Sequence, residues 1–174
     1  YCDNRLSLSY HPVRKYITQQ LTAFIKSSFD SVEAVSGVAT AGISQGALVA
    51  DALELPFSYI RSSAKKHGMT NKIEGRVFSG DKTIVIEDLV STGGSSIDAA
   101  LALREGGVEI LAIASIFTYG FPIIDTNLDK VNMDLFSLCD YDTLIEVALE
   151  KNKISSSNLE NLKSWKNAPE KWGK

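Results

Sequence analysis

The feature that most restricts the fold of this chain is a run of β-branched apolar residues followed by two acids and a loop of small residues. The apolar run covers 83–86, the acids are Glu87 and Asp88, and the loop covers 91–95. A short, continuously apolar run is typical of a strand buried on both faces of a parallel sheet. The Ala- and Leu-rich segment after the loop predicts a helix, and Ser95 with Asp98 resembles a capping box that would start it.

The loop is suited to an anion, because free N–H groups and the positive end of the helix dipole would face it. Gly93 and Gly94 would let the backbone approach the anion closely. The two acids would repel a phosphate, so they must face sugar hydroxyls or Mg²⁺ instead. A sugar phosphate satisfies both halves of the motif. An ordinary strand, turn and capped helix with no ligand is the alternative.

Two common nucleotide motifs are absent from the sequence. The loop has no lysine and no G-x-x-x-x-G-K-[ST] pattern, which excludes a Walker A site. No strand is followed by G-x-G-x-x-G, so a dinucleotide-binding fold is unsupported.

Composition narrows the class of protein further. The 174 residues predict one domain, 1–174, and 18 basic against 21 acidic side chains give a net charge of −3. That balance argues against general nucleic-acid binding, and no apolar run is long enough to predict a membrane span. The chain has two cysteines, Cys2 and Cys139, and their spacing does not match a metal-binding motif. This pattern predicts reduced thiols in a cytoplasmic protein. The first residue is not methionine, and we expect an N-terminal piece to be missing.

Strand and helix patterns alternate along the chain, which predicts an α/β fold with a mostly parallel central sheet flanked by helices. Residues 1–10 predict a strand or loop. The predicted strands cover 32–36, 57–61, 74–78, 82–87, 108–117 and 133–138, with 74–78 joined to 82–87 by a turn. The predicted helices start at Pro12 and cover 43–53, 96–105, 141–149 and 159–165.

Two further loops are candidate sites. The loop at 37–42 joins a strand to a helix, and the main-chain N–H groups of Thr40 and Ala41 could bind an anion there. A plain strand–helix connection is the alternative. The segment 61–75 is basic and punctuated by glycine, which is typical either of a mobile functional loop or of a solvated hairpin.

Residues 84–95 resemble the phosphoribosyl diphosphate motif of type I phosphoribosyltransferases, in which apolar residues, two acids and a Ser/Thr/Gly loop follow one another. Within that family the chain resembles the orotate phosphoribosyltransferases, because 1–10 resembles their orotate-site segment and 61–75 their catalytic loop. The resemblance extends over 1–119. It implies a type I phosphoribosyltransferase-like fold with a small N-terminal hood, truncated here to about 1–10.

The resemblance implies a reaction and a set of site residues. Phosphoribosyl would pass from 5-phosphoribosyl 1-diphosphate to orotate in UMP biosynthesis, giving orotidine 5′-monophosphate and diphosphate. The implied catalytic residues are Lys65, His67, Glu87 and Asp88. The implied phosphoribosyl diphosphate ligands are Thr40, Ala41, Arg61, Lys65, His67, Glu87, Asp88, Leu89, Val90, Ser91, Thr92, Gly93, Gly94 and Ser95. The implied orotate contacts are Tyr1, Cys2, Arg5 and Ser91.

The family further implies Mg²⁺ bridging substrate oxygens, with no certain protein ligand, and a homodimer whose mobile loop acts in trans. The chain departs from the family at Ser63, where related enzymes often carry a lysine. It also departs at Tyr119, because some relatives bind the orotate carboxylate through an arginine nearby. Base recognition must then be partly different or come from Arg5. Two alternatives stay open: transfer to a purine base, and a non-catalytic regulator that senses phosphoribosyl diphosphate.

Overall fold

The protein is built on a six-stranded sheet with helices on both faces. The structure is a computed structural model that describes residues 2–61 and 72–171. The strands are β1 (Ala34–Val38), β2 (Phe57–Ile60), β3 (Ile73–Gly75), β4 (Lys82–Val90), β5 (Glu109–Thr118) and β6 (Leu135–Asp140). The helices are α1 (His11–Ser28), α2 (Ala41–Leu53), α3 (Gly94–Glu105), α4 (Pro122–Asp129), α5 (Tyr141–Glu150) and α6 (Ser156–Asn167). Two 3-10 helices cover Asn4–Ser9 and Pro169–Lys171.

The strand order is β3-β2-β1-β4-β5-β6, and every pair except β2–β3 is parallel. The predicted α/β fold with a mostly parallel sheet is therefore confirmed. The predicted turn between 74–78 and 82–87 is present, since the N–H of Asp81 donates to the carbonyl of Phe78 at 3.1 Å, but the first strand covers only Ile73–Gly75. Because β1 and β5 already occupy both sides of β4, the segment at 73–75 pairs antiparallel with β2 at the sheet edge.

The central strand β4 is buried from both sides of the sheet. Ile84 and Ile86 pack with α1 and α2, where Leu21 is fully buried, whereas Val85 packs with Leu103 of α3. Side chains alternate between the faces of a strand, so this packing fixes which face each following residue meets. Helix α1 packs on the sheet through one apolar face, because Ile17, Leu21 and Ile25 are its buried residues.

Three local predictions are corrected. Residues 4–9 form a 3-10 helix rather than the predicted strand or loop, since the Asp3 side chain accepts the N–H of Arg5 and starts the turn. Helix α3 begins at Gly94, with Gly93 as its N-cap and no side-chain cap from Ser95. The segment 61–75 is not one loop throughout, because 73–75 form β3.

Other features agree with the sequence or add to it. Helix α3 ends at Glu105 before Gly106 as predicted, and β6 is an edge strand. Helix α4 was missed, although Pro122 stands in its first turn. Both cysteines are free thiols, and none of the helices in the described ranges combines the length and apolarity that crossing a bilayer requires.

Candidate functional site

The candidate site lies where β1, β4 and β5 end, because the carboxyl ends of parallel strands meet at one edge of the sheet. The chain leaves β1 through Ala39 and Thr40, β4 through 91–93, and β5 through 119–121. A cis peptide bond joins Ala39 to Thr40. The predicted loops at 37–42 and 91–95 thus lie side by side.

A cavity of about 530 Å³ opens between these loops and the N-terminal segment, and we call it the strand-end cavity. Its lining residues are Cys2, Asp3, Arg5, Thr40, Ala41, Asp88, Leu89, Ser91 and Tyr119. Three predicted motifs, separated by up to 89 positions along the chain from Cys2 to Ser91, contribute to this one cavity. Two acids, an arginine and several hydroxyl-bearing residues therefore surround a space that can hold a polar ligand.

The two adjacent acids occupy different environments, because neighbouring residues of a strand point to opposite faces. Asp88 lines the strand-end cavity, whereas Glu87 is only 5% exposed. The Oε1 atom of Glu87 accepts the N–H of Asp88 at 3.0 Å, and its Oε2 accepts the Ser96 hydroxyl at 3.4 Å. Burial, with Asp88 nearby, raises the pKa of Glu87 to about 8.

The loop after β4 is held by contacts that the sequence did not reveal. The Ser91 hydroxyl oxygen accepts the N–H of Thr92 at 2.7 Å, and Asn127 of α4 donates to the Thr92 carbonyl at 3.0 Å. Gly93 has φ +82°, and a Cβ there would collide with Ile124 of α4. Only glycine adopts this left-handed conformation without strain, so the turn that starts α3 depends on Gly93.

The N-terminal segment is tied to the ends of β4 and β5. Asn4 donates through Nδ2 to the main-chain carbonyl of Asp88 at 2.8 Å. The N–H of Cys2 donates to the Tyr119 hydroxyl at 3.4 Å. Arg5, predicted to bind a carboxylate, pairs through Nε with Asp3 at 2.8 Å. Asn4 was not among the predicted site residues, because nothing local in the sequence joins it to β4. Tyr119 was noted only as a departure from the family and was not assigned to the site.

A second cavity of about 370 Å³ lies where β2 ends against the first turn of α3. Its lining residues are Val38, Ala39, Ile60, Arg61, Lys72, Gly94, Ser95, Asp98 and Ala99. Arg61 pairs with Glu74 at 3.4 Å. The predicted residues Arg61, Gly94 and Ser95 therefore lie in this space rather than in the strand-end cavity.

The remaining predicted residues are placed as follows. Val90 is 2% exposed and packs in the core beside α3, so its side chain supports the loop rather than lining a cavity. Tyr1, Lys65 and His67 lie outside the described residues.

Comparison with known proteins agrees with this geometry. A family model described as "Phosphoribosyl transferase domain" matches residues 9–134. The orotate phosphoribosyltransferase of Porphyromonas gingivalis is 50% identical over 173 residues, covering 99% of this chain and 82% of that protein. The crystal structure of orotate phosphoribosyltransferase from Aeropyrum pernix aligns with a TM-score of 0.75 at 25% identity, covering 88% of this chain and 83% of that one.

A third comparison shows what the fold leaves open. The adenine phosphoribosyltransferase of Leishmania tarentolae aligns with a TM-score of 0.67 at 17% identity, covering 82% of this chain and 77% of that one. Proteins named for different bases share this fold, so the fold alone does not distinguish orotate from adenine phosphoribosyltransferases. The 50% sequence identity to an orotate phosphoribosyltransferase makes that distinction.

Proposed function

The chain belongs to the phosphoribosyl transferase family, among its orotate phosphoribosyltransferases, and on this premise we propose how its site performs the reaction. The protein transfers phosphoribosyl from 5-phosphoribosyl 1-diphosphate to orotate, giving orotidine 5′-monophosphate and diphosphate in pyrimidine biosynthesis. The observation that carries the site assignment is the strand-end cavity, which Asp88 and Ser91 share with Thr40 and Cys2.

The proposed mechanism relies on positioning and electrostatics. The bond from the anomeric carbon to the diphosphate breaks ahead of the new bond to nitrogen, so positive charge develops on the ribose ring. Asp88, which lines the cavity, binds ribose hydroxyls through its carboxylate and stabilises that charge. The main-chain N–H groups of the loop at 91–95 bind the 5′-phosphate at the start of α3. No covalent nucleophile is required.

Glu87 is buried beside Asp88 and does not line the strand-end cavity. With a pKa of about 8, its carboxyl is mostly protonated at neutral pH in the ligand-free protein. Its Oε1 still accepts the N–H of Asp88, and this bond orients the main chain that carries the second acid. We expect positive charge developing in the neighbouring cavity to favour the ionised form of Glu87, so its contribution grows as the substrate reacts.

The donors around the cavity suit Mg²⁺ shared with a substrate. No group of three or more His, Cys, Asp or Glu side chains in ranges 2–61 and 72–171 could hold a metal by itself. Mg²⁺ is commonly bound by one or two carboxylates together with substrate phosphates and water, and Asp88 with the hydroxyls of Thr40 and Ser91 provides such oxygen atoms. When bound, Mg²⁺ would neutralise charge on the diphosphate.

The leaving group would be neutralised by basic residues of the segment 61–75. Arg61 stands at its start, and Lys65 and His67 are assigned to this role by the motif that they match. Closure of these side chains over the diphosphate would exclude water and stabilise its charge. A homodimer in which this segment serves the neighbouring subunit, and a cytoplasmic location, belong to the same proposal.

The reaction is tested with purified protein, phosphoribosyl diphosphate and Mg²⁺. Orotate should support diphosphate release and formation of orotidine 5′-monophosphate, whereas adenine and hypoxanthine should not. Turnover with a purine alone would favour the first alternative. Binding of phosphoribosyl diphosphate without turnover of any base would favour a regulator.

Asn4 should position the acid pair, because its side chain holds the Asp88 carbonyl across 84 positions of sequence. Replacing Asn4 with alanine should lower kcat/KM about 5- to 10-fold, as the loss of one hydrogen bond of roughly 1 kcal/mol implies. Steady-state kinetics would measure this effect.

The matched control is Ser7→Ala, which removes the hydroxyl bond to the Asn4 carbonyl inside the same 3-10 helix. Ser7 does not line the strand-end cavity. Equal losses of activity in both variants would show that Asn4 only stabilises the 3-10 helix.

A further inference from the structure

Tyr119 is the cavity residue whose role the motifs leave unexplained. It follows β5 directly, is half-buried, and lines the strand-end cavity together with Asp88 and Ser91. Its hydroxyl oxygen accepts the N–H of Cys2 at 3.4 Å. A phenol can accept and donate at once, so this contact leaves the O–H proton of Tyr119 to be donated to a ligand.

The ring of Tyr119 is held by aromatic neighbours. Its centroid lies 5.3 Å from Phe117 in an edge-to-face contact, and 5.4 Å from Phe121 in a stacked contact. Trp165 and Tyr141 contact it at 5.6 and 5.9 Å. A ring packed against four others keeps its hydroxyl in place without a ligand, which lowers the entropy cost of using it for recognition.

The charges around the cavity show why such a donor is needed. Asp88 and Asp3 line it, and the Arg5 guanidinium pairs with Asp3 at 2.8 Å. A ligand with its own carboxylate meets acidic neighbours there, and Arg5 is already engaged. Neutral hydroxyl groups can donate a hydrogen bond to such a carboxylate, because they add no negative charge.

We propose that Tyr119 donates its phenolic O–H to the carboxylate of orotate, an inference that rests on the function given above. This bond makes Tyr119 a specificity-determining residue, which favours orotate over pyrimidines that lack the carboxylate. A site that hydrogen-bonds one substituent discriminates against an analogue without it, since the partly buried donor is then left without that partner.

The test is Tyr119→Phe, which keeps the ring and removes the hydroxyl. The KM for orotate should rise about 10- to 100-fold, the range expected for a hydrogen bond to a charged group. The inhibition constant of uracil, which has the same ring without the carboxylate, should stay within about twofold, as should the KM for phosphoribosyl diphosphate. Calorimetric binding of orotate and uracil to the variant gives the same ratio if turnover is too slow to measure.

The matched control is Tyr141→Phe, because Tyr141 belongs to the same aromatic group but donates to the Leu162 carbonyl at 3.4 Å and does not line the strand-end cavity. It should change neither constant. If orotate and uracil weaken together in Tyr119→Phe, the hydroxyl only anchors Cys2 and the proposal is overturned, as it is if neither weakens. A wild-type protein that never converts orotate would instead refute the proposed function.

Discussion

Replacing Asp88 with asparagine is expected to lower kcat/KM about 100- to 1000-fold, the usual effect of removing a charge that stabilises a transition state. The change keeps the shape of the side chain, the Asn4 bond to the main-chain carbonyl and the N–H bond to Glu87. It removes the negative charge of a residue that lines the strand-end cavity. Steady-state kinetics with orotate and phosphoribosyl diphosphate would measure the effect.

The control for this substitution is Asp51→Asn, an exposed position of α2 away from the strand-end cavity. It should leave kcat/KM within about twofold, because a lone solvated charge interacts weakly with distant groups. Thermal unfolding should show that both variants remain folded. An Asp88→Asn enzyme with nearly full activity would remove this carboxylate from the mechanism.

Replacing Glu87 with glutamine is expected to remove a pH dependence of stability that the wild-type protein has. The pKa of Glu87 is raised by burial to about 8, against 4.5 as its ordinary value. Between those values the unfolded chain has lost the proton that the folded protein keeps, so the free energy of unfolding falls as pH rises. Below pH 4.5 the neutral form contributes fully, and above pH 8 no further loss occurs.

Glutamine is neutral at every pH and nearly the same shape, so it can accept the N–H of Asp88 and still meet the Ser96 hydroxyl. The variant should therefore gain stability relative to wild type by roughly 1.4 kcal/mol per pH unit across this window. The total gain should be on the order of 4 kcal/mol near pH 8.

Urea unfolding of the ligand-free proteins at pH 5, 6, 7 and 8 would measure the difference. Glu146→Gln, at an exposed position of α5, is the matched control for the chemistry of the substitution. Parallel stability curves for wild type and Glu87→Gln would contradict a protonated buried carboxyl. Because glutamine cannot ionise when positive charge develops in the neighbouring cavity, the stabilised variant should be a poorer enzyme.

Much of the architecture follows from local sequence. The β-branched run at 83–86 has to be buried on both faces, and it forms the middle of β4. The spacing of Ile17, Leu21 and Ile25 places three apolar side chains on one face of α1. Where apolar strands and amphipathic helices alternate along a chain, a parallel sheet covered by helices buries the apolar side chains of both. The loops at the carboxyl ends of its strands then lie close together.

Other features arise only from contacts between distant parts of the chain. The segment at 73–75 pairs with β2 because β1 and β5 occupy both sides of β4. The start of α3 depends on Gly93, whose neighbour Ile124 belongs to a helix that the sequence did not predict. Pairing partners and close approaches of this kind are properties of the assembled sheet, so local propensity cannot specify them.

The same division runs through the site. The sequence by itself determined which residue types follow the apolar run of β4, namely an acid pair and a loop of small residues. These residue types suit a sugar phosphate. Tertiary structure decided how they are used: Glu87 is buried with a raised pKa, while Asp88 lines the cavity. It also brought Asn4 and Tyr119 to the site, since hydrogen bonds across 84 and 117 positions exist only once the sheet and its N-terminal segment have packed together.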